Sequence, residues 1–316
     1  MVSPISSSKT SPRGSPQPQS KTRFLEETRF PRENGFQNPM NQASLQKSLA
    51  SLPLGGLRYF DSIGSTNDEA LAWATEGAPD FSLVVADEQT TGRGRAGRRW
   101  VTPRGTALAF SLILRPALTP SPFAQHPCGA PDYGRGESSK PSLFTGLGAL
   151  ALVDALKKRG LEPQVKWPND VLLNGKKVAG ILVESVWTGD ALDTVVLGMG
   201  VNALAGSVPP TEELLFPATS VEAELGRPPE RAELLQDILS ALTAWRPKLS
   251  TGELVKAWEE NLAFRGEQVR VWQGSEQPLT GRVLGLEPDG SLRLLSGMRD
   301  KIVTVQFGEI HLRPAV

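Results

Sequence analysis

Apolar positions are spread unevenly along the chain. Residues 1–50 are rich in Ser, Pro, Gln, Asn and Arg and show no apolar period. Such a stretch cannot bury enough apolar surface to offset its ordering entropy, so it reads as a disordered tail. Order is expected from residues 57–63, an apolar, β-prone run that ends at Gly64. Ser65-Thr66-Asn67-Asp68-Glu69 then has the hydroxyls and early acids of a helix N-terminus, ahead of Ala70, Leu71, Trp73 and Ala74. Residues 81–86 are apolar without clean alternation and predict a buried strand, and residues 106–114 predict another. Residues 116–141 carry Pro, Gly and Ser without periodicity and read as a surface insertion.

Leu143, Leu147, Leu150, Ala151 and Leu156 have helical spacing, and Gly160 stops that helix. Residues 165–174, 177–184 and 193–198 predict three further strands, the first two forming a hairpin over Asn174-Gly175. Residues 230–245 and 254–262 are amphipathic, and from residue 267 short β-runs follow, with turns at Gln273-Gly274 and Asp289-Gly290. Runs of that kind predict a small barrel. The domain reading is a tail over 1–50, an α/β domain over 51–264 and a β-domain over 265–316.

Composition narrows the chemistry. The 34 Lys and Arg balance the 34 Asp and Glu, so no global basic charge points to bulk nucleic-acid binding. One cysteine, Cys128, excludes an intrachain disulfide and any multi-cysteine zinc site, which fits a reducing, cytoplasmic setting. Two histidines, His126 and His311, leave no His-Glu-x-x-His motif and disfavour a Ser-His-Asp triad. No apolar run approaches the ~18 residues of a membrane span. The first 25 residues are Ser-rich, basic and free of acids, as transit peptides are. A cytoplasmic tail, or a start placed too far upstream, is the preferred reading.

Two stretches stand apart from the apolar pattern. Residues 92–100, Gly-Arg-Gly-Arg-Ala-Gly-Arg-Arg-Trp, place four arginines and three glycines ahead of Trp100. Glycines let backbone wrap a ligand, and guanidinium groups grip phosphate or carboxylate through paired hydrogen bonds. The spacing is neither a phosphate loop nor a dinucleotide fingerprint, and a solvated basic loop is the plainer alternative. Lys166-Trp167-Pro168-Asn169-Asp170 is the second stretch, with an Asx-type turn as its structural alternative. Lys177 opens an apolar strand that contains Gly180, and Gly198-Met199-Gly200-Val201-Asn202 ends the next with an amide. Together with Gln89 these groups describe a site for an anionic nucleotide beside a small polar ligand, with no obvious general base.

In their order and spacing, these motifs resemble the biotin protein ligases. Gly92-Arg93-Gly94-Arg95-x-Gly97-Arg98-x-Trp100, Lys166 to Asp170, Lys177-x3-Gly180-Ile181-Leu182-Val183-Glu184 and Gly198-x-Gly200-x-Asn202 carry the likeness. Ser65-Thr66-Asn67 and Gln89 accompany them, and the match runs over residues 57–313. Ala96 stands where one bacterial form has a further arginine, which bears on loop charge rather than on chemistry. Repressor members carry an N-terminal winged helix-turn-helix. Only the tail stands there in this chain, so a non-repressing member without DNA binding is expected.

The resemblance implies an α/β (α+β) catalytic domain like that of class II aminoacyl-tRNA synthetases, a mixed sheet flanked by helices, followed by an SH3-like barrel. It implies that biotin and Mg-ATP form biotinyl-5′-adenylate, whose acyl group passes to a lysine on the biotin carboxyl carrier domain of a biotin-dependent carboxylase. Ser65, Thr66, Asn67, Gln89 and Gly180 would then hold biotin. Arg93, Gly94, Arg95 and Lys177 would hold its carboxylate and the phosphates, with Lys177, Arg93 and Arg95 acting on the transition state. Arg98, Trp100, Lys166, Asn169, Asp170, Asn202 and Arg313 would complete the nucleotide site, with Trp100 over the adenine and Asn202 at its edge. The only metal implied is Mg2+ carried by ATP. A homodimer is compatible with the resemblance, and no membrane is implied. A lipoate or octanoyl transfer enzyme shares the broader fold, and a non-enzymatic RNA-binding protein is the alternative of another class.

Overall fold

The computed structural model of the protein describes residues 40–116, 140–273, 277–297, 301–306 and 310–314. Two sheets carry the architecture. In the larger one the order is β1-β2-β3-β7-β6-β5-β4, built from β1 (Gly56–Phe60), β2 (Ser82–Ala86), β3 (Leu108–Leu114), β4 (Pro163–Lys166), β5 (Asp170–Leu173), β6 (Lys176–Thr188) and β7 (Ala191–Val201). Only the β1–β2 pair is parallel; the other pairs are antiparallel, so the sheet is mixed.

The sheet is covered on both faces, which is why its central strands read as unbroken apolar runs. All of β2 and β3 is buried. On one face α2 (Thr66–Thr75) sets Ala70 and Ala74 against Val84, Ile113 and Val196. On the other lies α3 (Pro141–Lys157), apolar around almost its whole circumference, as a helix wedged between layers must be. Gly160, at φ 78°, lies just beyond its end. α5 (Arg231–Trp245) and α6 (Glu253–Glu260) pack over α3, while α4 (Val221–Leu225) is a short turn beside the strand ends.

Two sequence expectations are corrected. Residues 165–174 are not one strand. They are β4 and β5, folded back on each other through residues 167–169, so that Lys166 pairs with Asp170. The peptide Trp167–Pro168 in that turn is cis. The predicted β5–β6 hairpin is present, with Asn174 and Gly175 both at positive φ, as a two-residue turn of this twist requires.

The second correction concerns residues 1–50. Residues 1–39 lie outside the described part, but α1 (Gln42–Ser48) is a capped helix inside that span. Asn41 and Ser44 form a reciprocal capping box, each side chain accepting from the other's backbone N–H at 2.9 Å. Leu45 and Leu49 are buried in the main core, and the Tyr59 hydroxyl donates to the Met40 carbonyl at 2.6 Å. Two leucines one turn apart, among Ser, Gln and Lys, are too few to register as a period. The expected insertion, residues 116–141, lies almost wholly outside the described part, which breaks at 117–139; α3 starts at Pro141.

The smaller sheet is antiparallel, in the order β11-β10-β9-β8-β12. Its strands are β8 (Gln268–Gln273), β9 (Leu279–Leu286), β10 (Leu292–Ser296), β11 (Lys301–Val305) and β12 (Ile310–Pro314). Among the described residues its end strands β11 and β12 do not pair with each other. Both sheets belong to one compact unit, residues 39–316. The β9–β10 turn seals the contact between them. The Trp167 indole N–H donates to Gly290 O at 2.9 Å, and the Ser142 hydroxyl donates to Asp289 O at 2.7 Å.

Leu45→Ala tests whether α1 is part of the folded unit. Loss of a fully buried leucine should lower the unfolding free energy by about 2–5 kcal/mol, read by urea denaturation. An unchanged midpoint would return residues 40–50 to the tail.

Candidate active site

The strand ends of β6 and β7 form the floor of a cavity of about 650 Å³, a volume suited to a small-molecule site. Gly180 on β6 lies opposite Gly200 on β7, and the missing side chains leave a slot in the sheet surface. The Trp100 indole lies in that slot, so close to Gly200 that a Cβ there would run into the ring. Its buried N–H has no hydrogen-bond partner among the described residues.

Trp100 reaches the slot from the arginine stretch, which is a small hairpin and not an open loop. The Trp100 backbone N–H donates to Gly92 O at 2.9 Å and the Gly94 backbone N–H to Arg98 O at 2.6 Å, with Arg93 and Arg99 bridged between them. Ala96 and Gly97 turn the chain at φ 54° and 69°. The segment's own backbone bonds give it a shape. The glycines lower the cost of that tight turn.

One end of the cavity is cationic. Asp170 is buried between Lys166 Nζ at 3.0 Å and Lys177 Nζ at 2.6 Å. Burial alone would raise its carboxyl, but the two ammonium groups override this and hold it well below the usual carboxylate range. Lys166 also lies over the Phe216 ring at 4.7 Å, and Lys177 over Trp100 at 5.3 Å. Arg95 donates to Asn169 Oδ1 at 3.2 Å; burial depresses its guanidinium, while Asp170 pulls it back up. Asn169 is itself fixed, its amide N–H donating to Ile181 O at 2.8 Å.

The opposite end is neutral and rich in hydrogen-bonding groups. Gln89 Oε1 accepts from Thr66 N–H at 2.8 Å, and the Gln89 amide N–H donates to Thr102 Oγ1 at 3.2 Å. Ser65 is the N-cap of α2 but makes no side-chain capping bond; it faces the cavity instead. The Asn67 amide packs against Gly198, where a Cβ would overlap it, and donates to Glu184 Oε2 at 2.7 Å. Arg93 joins the two ends. Its guanidinium lies 2.6 Å from both Asp68 and Glu184, so at this cavity wall it is already engaged by carboxylates.

Every candidate residue from the sequence lines this cavity except Arg313, which lies on β12 and whose side chain falls outside the described part. Asn202 is placed there with one amide N–H donated to Thr219 O at 3.0 Å, which fixes the way its amide faces. Sequence reasoning missed residues 207–218, a loop that brings Leu215 and Phe216 to the rim. It also missed Ser111, buried on β3 beneath Thr66 and Asn67. A serine in an apolar strand was the available signal for the latter; nothing periodic marks the former.

Comparison with known proteins gives the same picture. The model of the biotin/lipoate A/B protein ligase family matches residues 59–129 and 133–202. The biotin–[acetyl-CoA-carboxylase] ligase of Paracoccus denitrificans is 35% identical over 240 residues, covering 73% of this chain and 90% of that protein. The chain belongs to the biotin protein ligase family. The bifunctional ligase/repressor BirA of Bacillus spizizenii is 34% identical over 242 residues, covering 75% of this chain and 69% of that one. Among solved structures, the biotin protein ligase of Aquifex aeolicus in complex with biotin and ATP superimposes with a TM-score of 0.66 at 26% identity, over 82% of this chain and 99% of that one.

Asp170→Asn tests the cationic end without reference to activity. Removing the one carboxylate that both lysines share should cost about 3–5 kcal/mol at pH 7. Because the folded carboxyl is depressed, the advantage of Asp170 over Asn should be full above the ordinary carboxylate pKa of about 4 and shrink as pH falls below it. Denaturant titrations of both proteins between pH 7 and pH 2 read this, and a difference independent of pH would contradict it.

Proposed function

We propose that the protein is an ATP-dependent, AMP-forming biotin ligase that loads a lysine of a biotin carboxyl carrier domain. The observation that carries this reading is the division of one cavity into a cationic end and a neutral hydrogen-bonding end, with a stacking surface between. The biotin carboxylate attacks the α-phosphate of ATP; an O–P bond forms, the bond to the β-phosphate bridge breaks, and pyrophosphate leaves. The acceptor lysine's amine then attacks the acyl carbon, an amide forms, and AMP leaves with the C–O bond electrons. Mg2+ accompanies the triphosphate and supplies charge neutralisation there.

Both substrates of the first step are anions, so the work is alignment and charge neutralisation and not proton abstraction. Lys177 and Lys166 are suited to it because Asp170 holds their ammonium groups in place before substrate arrives. Arg95, with backbone at Gly94, closes over the phosphates from the hairpin, and Arg98 adds charge at its turn. Trp100 offers its ring face to the adenine and Asn202 its carbonyl to the exocyclic amine. Ser65, Thr66, Asn67 and Gln89 take the ureido head, with Gly180 allowing close approach. We read the smaller sheet as an SH3-like domain that buttresses the turn carrying Lys166, Asn169 and Asp170, and we place Arg313 near the nucleotide on the same reading.

The neutral end also separates biotin from lipoate. A dithiolane has no group to match four polar side chains, whereas a ureido ring matches them, and leaving buried polar groups unpaired is costly. A concave cavity of small-molecule size beside a balanced net charge speaks against an RNA surface. Incubation with ATP, biotin and a carboxyl carrier domain should add one biotin to one lysine by mass spectrometry. Transfer of lipoate with biotin left unused would refute the assignment.

The two kinds of cation should fail differently. Lys177→Ala should lower the single-turnover rate of adenylate formation by ~10²–10³-fold with little loss of biotin affinity, as for a lost transition-state donor. Arg95→Gly should release biotinyl-adenylate early, so that lysines on bystander proteins become labelled. Wild-type adenylation in the first, with tight retention in the second, would overturn these roles.

A further inference from the structure

Beneath the neutral end of the cavity runs a chain of hydrogen-bonding side chains whose proton positions can be worked out. It starts at Glu184, which is ion-paired with Arg93 and is therefore an acceptor. The Asn67 amide group lies with Nδ2 2.7 Å from Glu184 Oε2 and 3.4 Å from Leu182 O. Both neighbours can only accept, so Nδ2 must face them and Oδ1 must face the other way. Oδ1 faces Ser111 Oγ at 2.6 Å, and since an amide oxygen cannot donate, the Ser111 proton goes to Asn67.

Ser111 has one proton, and it is now committed. Its contact with Thr66 Oγ1, at 2.8 Å, must therefore use the Thr66 proton. That leaves none for the third contact, Thr66 Oγ1 to Gln89 Oε1 at 3.1 Å. Gln89 cannot turn to supply one, because its Oε1 accepts the Thr66 backbone N–H at 2.8 Å. Three contacts share two protons, and the contact left without one is the longest of the three, at 3.1 Å against 2.8 and 2.6 Å. The proton count and the geometry agree.

We infer that Ser111 is a specificity-determining positioning residue, which with Asn67 and Glu184 orients the Thr66 hydroxyl so that Thr66 Oγ1 and Gln89 Oε1 together present only lone pairs to each other. Thr66 Oγ1 and Gln89 Oε1 form a pair of acceptors that lacks a proton between them. A ligand N–H fills that gap; a ligand oxygen placed there is repelled. Buried acceptors left unpaired are costly, so the device discriminates by chemistry and not by size. Ser111 is fully buried on β3 and does not line the cavity; it acts through Thr66. The inference rests on the biotin reading and deepens it: the head group is chosen as an N–H donor.

The test compares biotin with its two cyclic carbamate analogues, in each of which one ureido N–H is replaced by a ring oxygen of nearly equal size. Calorimetry on the full chain gives the ratio of analogue to biotin Kd. In the unaltered protein one regioisomer should bind at least ~100-fold more weakly than biotin. In Ser111→Ala the Thr66 proton is free to turn to Gln89, and that ratio should fall by about tenfold while biotin affinity changes by less than about fivefold. Ser111→Cys, whose thiol is a weaker donor, should give an intermediate ratio. An unchanged ratio in a variant that still binds biotin overturns the proposal, and if the alanine variant does not fold the cysteine variant decides. Failure of the unaltered protein to bind biotin overturns the reading beneath it, and this proposal with it.

Discussion

Much of the site depends on one buried carboxylate. Asp170 sits 2.6 Å from Lys177 and 3.0 Å from Lys166, and with both present it stays ionised despite burial. Without it, two ammonium groups would face each other in a partly dry cavity and would swing away or lose charge. With it, they stay fixed before any substrate enters. Its position follows from the fold-back of β4 onto β5, which puts Lys166 and Asp170 in register, and from β6, which brings Lys177 alongside. The turn between β4 and β5 is closed in its turn by Trp167, whose indole is tied to Gly290 of the smaller sheet. The second sheet thereby bears on the geometry of a site it does not line among the described residues.

The other positive groups are arranged on a different principle. Arg93 and Arg95 ride on a hairpin whose backbone bonds span only three residue pairs, and Arg93 is held by Asp68 and Glu184. Those carboxylates occupy the guanidinium that a ligand carboxylate or phosphate would need. On the function proposed above, binding at Arg93 is an exchange of partners. Glu184 also anchors Asn67, so the same carboxylate connects the hairpin to the neutral end of the cavity. One site thus combines two lysines that share a buried carboxylate with two arginines carried on a hairpin.

Much of this was legible in the sequence where local chemistry decides structure. The Asn174-Gly175 turn, the buried runs of β2 and β3 and the apolar α3 follow from spacing and residue type, and the motif residues gather in one cavity. What stayed hidden depends on contacts distant in sequence. The split of residues 165–174 into two strands turns on the pairing of Lys166 with Asp170, and a run of β-prone residues looks the same whether straight or folded back. Residues 42–48 are helical because Leu45 and Leu49 find a core far along the chain. Ser111 passes for one polar residue in an apolar strand until Thr66 and Asn67 are brought above it. The arginine stretch reads as flexible because its glycines permit many shapes, and only cross-hairpin bonds choose one.

If the Lys166–Asp170–Lys177 group is preorganised while Arg93 changes partners, a crystal structure with a non-hydrolysable biotinyl-adenylate analogue will show it. Lys177 should stay on Asp170, its Nζ displaced by no more than about 1 Å, as expected of a pre-formed site. Arg93 should leave at least one of Asp68 and Glu184 for the ligand. Lys177 pulled away from Asp170 towards the phosphate, with Arg93 still on both carboxylates, would contradict both expectations.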